Sequence, residues 1–94
     1  MSSTDALYGY LAGQFADADL AGQTDTQAAV DGLSTTTKAA YDDVLRQGRA
    51  VLASPPIDWR RIADYANRRF SNEAEVREWL TRMMDLLDAA LKKL

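Results

Sequence analysis

Residues 71–94 read SNEAEVREWLTRMMDLLDAALKKL, and their periodicity decides the fold. Val76, Trp79, Leu80, Met83, Leu87, Ala90, Leu91 and Leu94 recur at intervals of three and four. On a helix of 3.6 residues per turn this gathers them into one apolar stripe. Arg77, Glu78, Arg82, Asp85, Asp88 and Lys92 fall mainly off the stripe, as expected of a helix lying on a soluble core rather than crossing a membrane. Such a stripe needs apolar faces to cover it, and the rest of the chain supplies them.

Immediately upstream, Asn72 and Glu75 have the spacing of a capping box that opens this last helix, with Ser71 as an alternative cap. Phe70 then locks the corner with the preceding helix, for which Asp58 is the N-cap. That helix is expected from Trp59 to about Arg68, with Trp59, Ile62, Ala63 and Ala66 facing in. Ser54-Pro55-Pro56 is a firm boundary, because proline has no backbone N–H to donate and disfavours helical geometry in the residue before it. The helix ending there carries Ala40, Tyr41, Val44, Leu45, Val51 and Leu52, with Gly48 on the same face. Glycine inside a helix costs about 1 kcal/mol of propensity, so close approach of a neighbouring backbone is the expected reason for Gly48. The cluster Ser34-Thr35-Thr36-Thr37 offers N-caps for it.

Further upstream, Thr24-Asp25-Thr26-Gln27 is a second capping box, predicting a short helix through Val30 that Gly32 ends. Asp17 to Gln23 reads as a loop. The first helix is expected from Ser3 or Thr4 to about Ala16, with Leu7, Tyr10 or Leu11, and Gln14 or Phe15 along its inward side, Leu7, Leu11 and Phe15 making a narrow stripe, and Tyr8 facing out. No stretch alternates with the period of two that marks a half-buried strand. The expected fold is all-α, a compact single-domain bundle of four or five helices over residues 1–94. A chain of 94 residues buries only about 60–65% of its unfolded surface, leaving room for one core.

Composition narrows the chemistry. The chain has neither cysteine nor histidine, which removes disulfides, thiolate sites, the commonest transition-metal ligand and the commonest general base. No nucleophile-elbow motif or phosphate-cradling glycine loop is present. Asp17 and Asp19 could approach a hard cation but lack the further oxygen ligands that a calcium loop supplies. The expectation is a protein with no catalysis, no metal and no cofactor. Met1 to Asp5 lack the basic and apolar regions of a signal peptide, and no apolar run approaches the roughly 18 residues of a membrane span. The expected location is the cytoplasm, with no membrane contact and a monomeric state.

The net charge of −3 is unevenly distributed. Through Leu45 the chain carries seven aspartates, Asp5, Asp17, Asp19, Asp25, Asp31, Asp42 and Asp43, against Lys38 alone, a balance of −6. From Arg46 onward ten bases face seven acids, a balance of +3. Charge of one sign steers partners of the other. The segment from Trp59 to the last helix also looks superficially like a helix-turn-helix unit, whose second helix enters a DNA groove. Against that, Glu73, Glu75 and Glu78 stand at the start of the reading helix, where they would face phosphate repulsion.

Taken in order, Leu7, Leu11 and Phe15, the acidic Asp17 and Asp19, the helix from Thr24 to Val30, the helix from Tyr41 to Leu52, and the closing Arg77-Glu78-Trp79-Leu80 with Leu86 or Leu87 resemble a family. It is the helical immunity proteins of contact-dependent growth inhibition systems. Where that family usually carries an Asp-Trp-Asp type motif, this chain has Asp17-Ala18-Asp19. The resemblance implies a protein that binds and neutralises one cognate toxin C-terminal domain, commonly a nuclease, inside the cell that makes it. A nuclease is usually basic around its active site, and an inhibitor with an acidic face docks there by electrostatic steering. Asp17, Asp19, Asp25, Asp42 and Asp43 are the residues expected to form that face, with no nucleic acid as partner. A helix-turn-helix binder and a non-catalytic adaptor are the alternative classes.

Overall fold

The computed structural model describes residues 4–18 and 22–94. Five helices form: α1 (Asp5–Gln14), α2 (Asp25–Val30), α3 (Lys38–Ala53), α4 (Trp59–Ala66) and α5 (Glu73–Leu91). Among the described residues there is no strand. The radius of gyration, 12.4 Å, matches the roughly 12 Å of a compact chain this long. No helix of the described residues is long and apolar enough to cross a membrane.

Helix α5 is the centre. Val76, Leu80, Met83 and Leu87 of its stripe are fully buried, and Trp79 and Leu91 nearly so. Ala90 is half-buried, and Leu94, beyond the helix end, is exposed. Met84, which lies off the expected stripe, is also fully buried. The reason is Gly48: a Cβ there would collide with Met84 Sδ. The glycine therefore admits a neighbouring side chain rather than the neighbouring backbone its sequence position suggested. With Met84 included, α5 buries a wide face and packs against α2, α3 and α4. Its cap is the expected one, the Asn72 side chain accepting from the Glu75 N–H at 3.0 Å. The Glu75 carboxylate accepts from Ser71 N rather than from Asn72 N, closing the box one residue early.

Helix α1 packs against α3 and α4. Leu7, Leu11 and Phe15 are fully buried, as their spacing requires. Tyr8, expected to face out, is buried instead. Its ring lies 4.7 Å from that of Tyr65 and under the Arg61 guanidinium at 4.5 Å, so α4 supplies a lid that an isolated α1 would not have. Helix α4 ends at Ala66, two residues before the expected Arg68, because Asn67 takes a left-handed conformation with φ of +53°. Asn67 Nδ2 then donates to the Ala16 carbonyl, tying this turn to the end of α1.

Helix α2 has six residues, too few to persist alone. Its capping box is complete, with Thr24 and Gln27 each accepting from the other's backbone N–H. Its other end is held by side chains from two helices. Gln14 Nε2 donates to the carbonyls of Ala28 and Asp31, Tyr10 Oη to that of Ala29, and Tyr41 Oη to that of Asp31. Gly32 follows with φ of +78°, the backbone state expected after a helix end. Before α3, Ser34 and Thr37 bond reciprocally through side chains and backbone, closing a turn, while Thr37 makes no side-chain cap to α3 itself.

Candidate partner-binding surface

The aspartates expected to form one face separate into different environments. Asp25 is at the first position of α2, and its carboxylate is committed inside the molecule. Oδ1 accepts from Arg68 Nη2 at 2.7 Å and Nε at 3.1 Å, and Oδ2 accepts from Trp79 Nε1 at 2.8 Å. Trp79 is wedged between Phe15, 5.0 Å away, and Phe70, 5.6 Å away. Burial favours the neutral acid, but the hydrogen bonds from Arg68 and Trp79 and the charges of Arg68 and Arg82 outweigh it. The Asp25 carboxyl is therefore held below its ordinary pKa. Asp25 is a brace between α2, the α4–α5 turn and α5, not part of an open face.

Asp42 and Asp43 are exposed neighbours on α3, within one helical turn of cations of their own helix. Asp42 pairs with Lys38 at 2.9 Å and Asp43 with Arg46 at 3.0 Å. Pairs this open to water hold their geometry weakly. Asp17 is exposed just beyond α1 and makes no ion pair among the described residues. Asp19 lies outside the described residues. Two further acids, Asp5 and Asp31, are exposed on the same half of the chain and were not singled out by sequence. What places Asp31 is the pair of bonds its carbonyl accepts from Gln14 and Tyr41, contacts 17 and 10 residues apart with no signature in spacing.

Many of the cations of the second half are internally engaged. Arg49 reaches across to Asp85 at 2.8 Å, and Arg77 donates to the Leu52 carbonyl and to Glu73. Arg60 stacks on Trp59, 5.1 Å from its ring centroid. At the start of α5, Glu75 and Glu78 are exposed, and they line an open cleft with Phe70, Trp79, Arg82 and Asp85.

Alongside the acids runs an apolar opening. Of the expected inward residues of α3, only Val44 and Gly48 are buried; Tyr41, Leu45, Val51 and Leu52 are half-buried, and Ala40 is exposed. Ala6, Tyr10 and Gln14 of α1 with Ala40, Tyr41 and Val44 of α3 line a groove of about 230 Å³. The rings of Tyr10 and Tyr41 meet edge to face at 5.9 Å within it. Among the described residues, every buried side-chain nitrogen or oxygen has a hydrogen-bond partner.

Comparison with known proteins yields no match to this chain among family models, curated proteins or solved structures.

Proposed function

We propose that this chain is a non-catalytic inhibitor of the immunity type, one that binds a cognate toxin domain, a basic nuclease of a contact-dependent growth inhibition system, and neutralises it inside the cell. The observation that supports the reading is the exposed acid pair Asp42 and Asp43 on α3, in the half of the chain whose balance is −6. A nuclease collects positive charge to hold its substrate. An acidic surface meeting it speeds encounter and selects against other acidic partners. Lys38 and Arg46 partly neutralise the two aspartates, but exposed helix pairs are worth only about 0.3–0.5 kcal/mol, so a partner's arginine can replace them. Asp17 extends the surface past α1. Asp25 contributes by holding α2 in place rather than by touching the partner.

The test begins with capture by the tagged chain of a stoichiometric basic domain whose toxicity co-expression suppresses. Association with that domain is then followed by stopped flow across a salt series. Asp42→Lys/Asp43→Lys is expected to slow association at least tenfold and flatten its salt dependence while leaving helical circular dichroism unchanged. An unchanged rate would remove this face as the docking site. Salt-sensitive affinity for duplex DNA in place of a protein partner would turn the assignment toward nucleic-acid binding, and self-association alone would turn it toward an adaptor.

A further inference from the structure

Helix α4 and the turn after it carry a cleft whose charge differs from that of the α3 acids. Trp59, Arg60, Asp64, Arg68, Arg69 and Phe70 line an open cleft of about 450 Å³, three arginines against one aspartate. Arg68 is committed to Asp25 and to the carbonyls of Ala66 and Asn67, and the Phe70 ring packs 5.6 Å from Trp79. Both neighbours of Arg69 are thereby anchored. Arg69 itself is exposed and makes no ion pair among the described residues.

Arg60 is the second such cation. Asp64 stands four residues after it, the spacing at which helix ion pairs form, and Lys38 with Asp42, Arg77 with Glu73 and Lys92 with Asp88 all pair at that spacing in this chain. Arg60 and Asp64 make no ion pair; the guanidinium lies over the Trp59 ring instead, 5.1 Å from its centroid. A guanidinium stacked on a ring keeps its N–H edge for an oxyanion such as phosphate. The cleft thus combines two guanidinium groups without ion-pair partners, the half-buried rings of Trp59 and Phe70, and one carboxylate.

We infer that this cleft binds single-stranded nucleic acid, with a base stacked on Phe70 and the flanking phosphates on Arg60 and Arg69. Basic groups interleaved with rings are what a sugar–phosphate chain and its bases require together. Asp64 disfavours denser anions: a polyphosphate would set charge against it, whereas a nucleotide brings amino and hydroxyl donors that the carboxylate can accept. The cleft is open rather than enveloping, which suits a strand passing across it better than a mononucleotide, whose pocket would bury most of its surface. Glu73, Glu75 and Glu78, which spoke against nucleic acid by barring α5 from a duplex groove, do not line this cleft. Glu75 and Glu78 line the cleft on α5 that shares Phe70, so phosphates are expected on the arginine side of that ring. The inference goes beyond the immunity reading and is independent of it, since it uses none of the acids of α3.

The probe is a fluorescein-labelled oligoadenylate of about eight nucleotides, titrated with the full chain and followed by anisotropy across a salt series. Saturable binding is expected, with a logarithmic salt slope of about −1.4 for two neutralised phosphates on a single strand. Arg60→Gln and Arg69→Gln, both at exposed positions, are each expected to weaken binding and to reduce that slope by about 0.7. Phe70→Leu is expected to weaken binding at least fivefold with the slope unchanged, because it removes stacking and no charge; circular dichroism checks that this variant keeps its helices, and the two arginine variants test the site whether or not it does. A duplex of the same length, its bases already stacked, is expected to compete at least tenfold less well. No saturable binding, or binding unaltered by both arginine variants, would overturn the site. Equal competition by the duplex or by inorganic tripolyphosphate would reduce it to charge attraction and overturn the strand, and equal competition by adenosine monophosphate would replace the strand with a free nucleotide. These outcomes do not depend on whether a toxin partner is captured.

Discussion

At the scale of single residues, the surroundings of Gly48 set a definite expectation. Gly48 of α3 is occupied space: a methyl group there collides with Met84 Sδ and stands 3.0 Å from its Cγ. Alanine would gain up to about 1 kcal/mol of helix propensity but force Met84 out of a fully buried site, an overpacking cost of about 1–3 kcal/mol. Gly48→Ala is therefore expected to destabilise by up to about 2 kcal/mol, as a lowered urea midpoint with unchanged slope; a raised midpoint would mean that Met84 repacks freely. Reading Gly48 as a site of close approach was possible from its place on the apolar face of α3. That the approaching atom belongs to Met84 was not legible, because a pair 36 positions apart leaves no periodic trace. Tyr8 shows the same limit: its place on the α1 wheel points to solvent, and only the arrival of Tyr65 and Arg61 from α4 covers it.

At the scale of the element, α2 depends on side chains of other helices for its existence. The capping box at Thr24 was legible because both partners lie within four residues. The C-terminal anchors were not, because Tyr10, Gln14 and Tyr41 are contributed by helices on either side in sequence. Tyr10→Phe removes the donor to the Ala29 carbonyl and is expected to cost about 1–2 kcal/mol. Hydrogen exchange at residues 25–33 should rise before exchange in α5 does. The tyrosines also predict an alkaline limb. Burial pushes the phenols of Tyr8, Tyr10 and Tyr41 up, Tyr10 most strongly. A phenol whose folded-state pKa exceeds its unfolded value gives stability that is complete below the unfolded pKa, about 10, and is lost as pH rises toward the folded value. Denaturant midpoints measured from pH 9 upward should fall past about pH 10, and less steeply in Tyr10→Phe than in the parent chain. Parallel slopes would show that Tyr10 does not govern this limb.

At the scale of the whole molecule, the Asp25 brace joins residues 43 and 54 positions away in sequence. Its carboxyl titrates below the ordinary range, so it adds stability that is fully present above the unfolded pKa, about 3.9, and disappears as pH falls through the folded value. Asp25→Asn is expected to cost about 1–3 kcal/mol at neutral pH, because Arg68 loses a charged acceptor in a largely buried setting. The variant should lose part of the steepening of acid unfolding below about pH 4, measured by circular dichroism against pH. An acid limb identical to the parent's would show that other carboxyls carry it. This brace also marks where sequence reading of the surface stops. An aspartate after a threonine cap reads equally as a helix-start acid, a docking residue or a brace, and only the placement of Arg68 and Trp79 separates these. The acid pair on α3 was legible because its surroundings are local, and the groove beside it was not, because it is made by two helices failing to close over each other.

The pattern of helix packing has one more consequence, for how the chain is made. The main contacts join α1 to α3 and α4, α2 to α5, and α3 to α5; only α4 and α5 are consecutive partners. Helix α1 reaches past α2 to α3 and α4, and α2 and α3 each cover the apolar face of α5. During synthesis the apolar surfaces that α5 covers stay open until residues 73–91 have emerged, so complete packing is expected only then. Folding is thus expected to be completed by the last helix rather than by steady helix-by-helix accumulation.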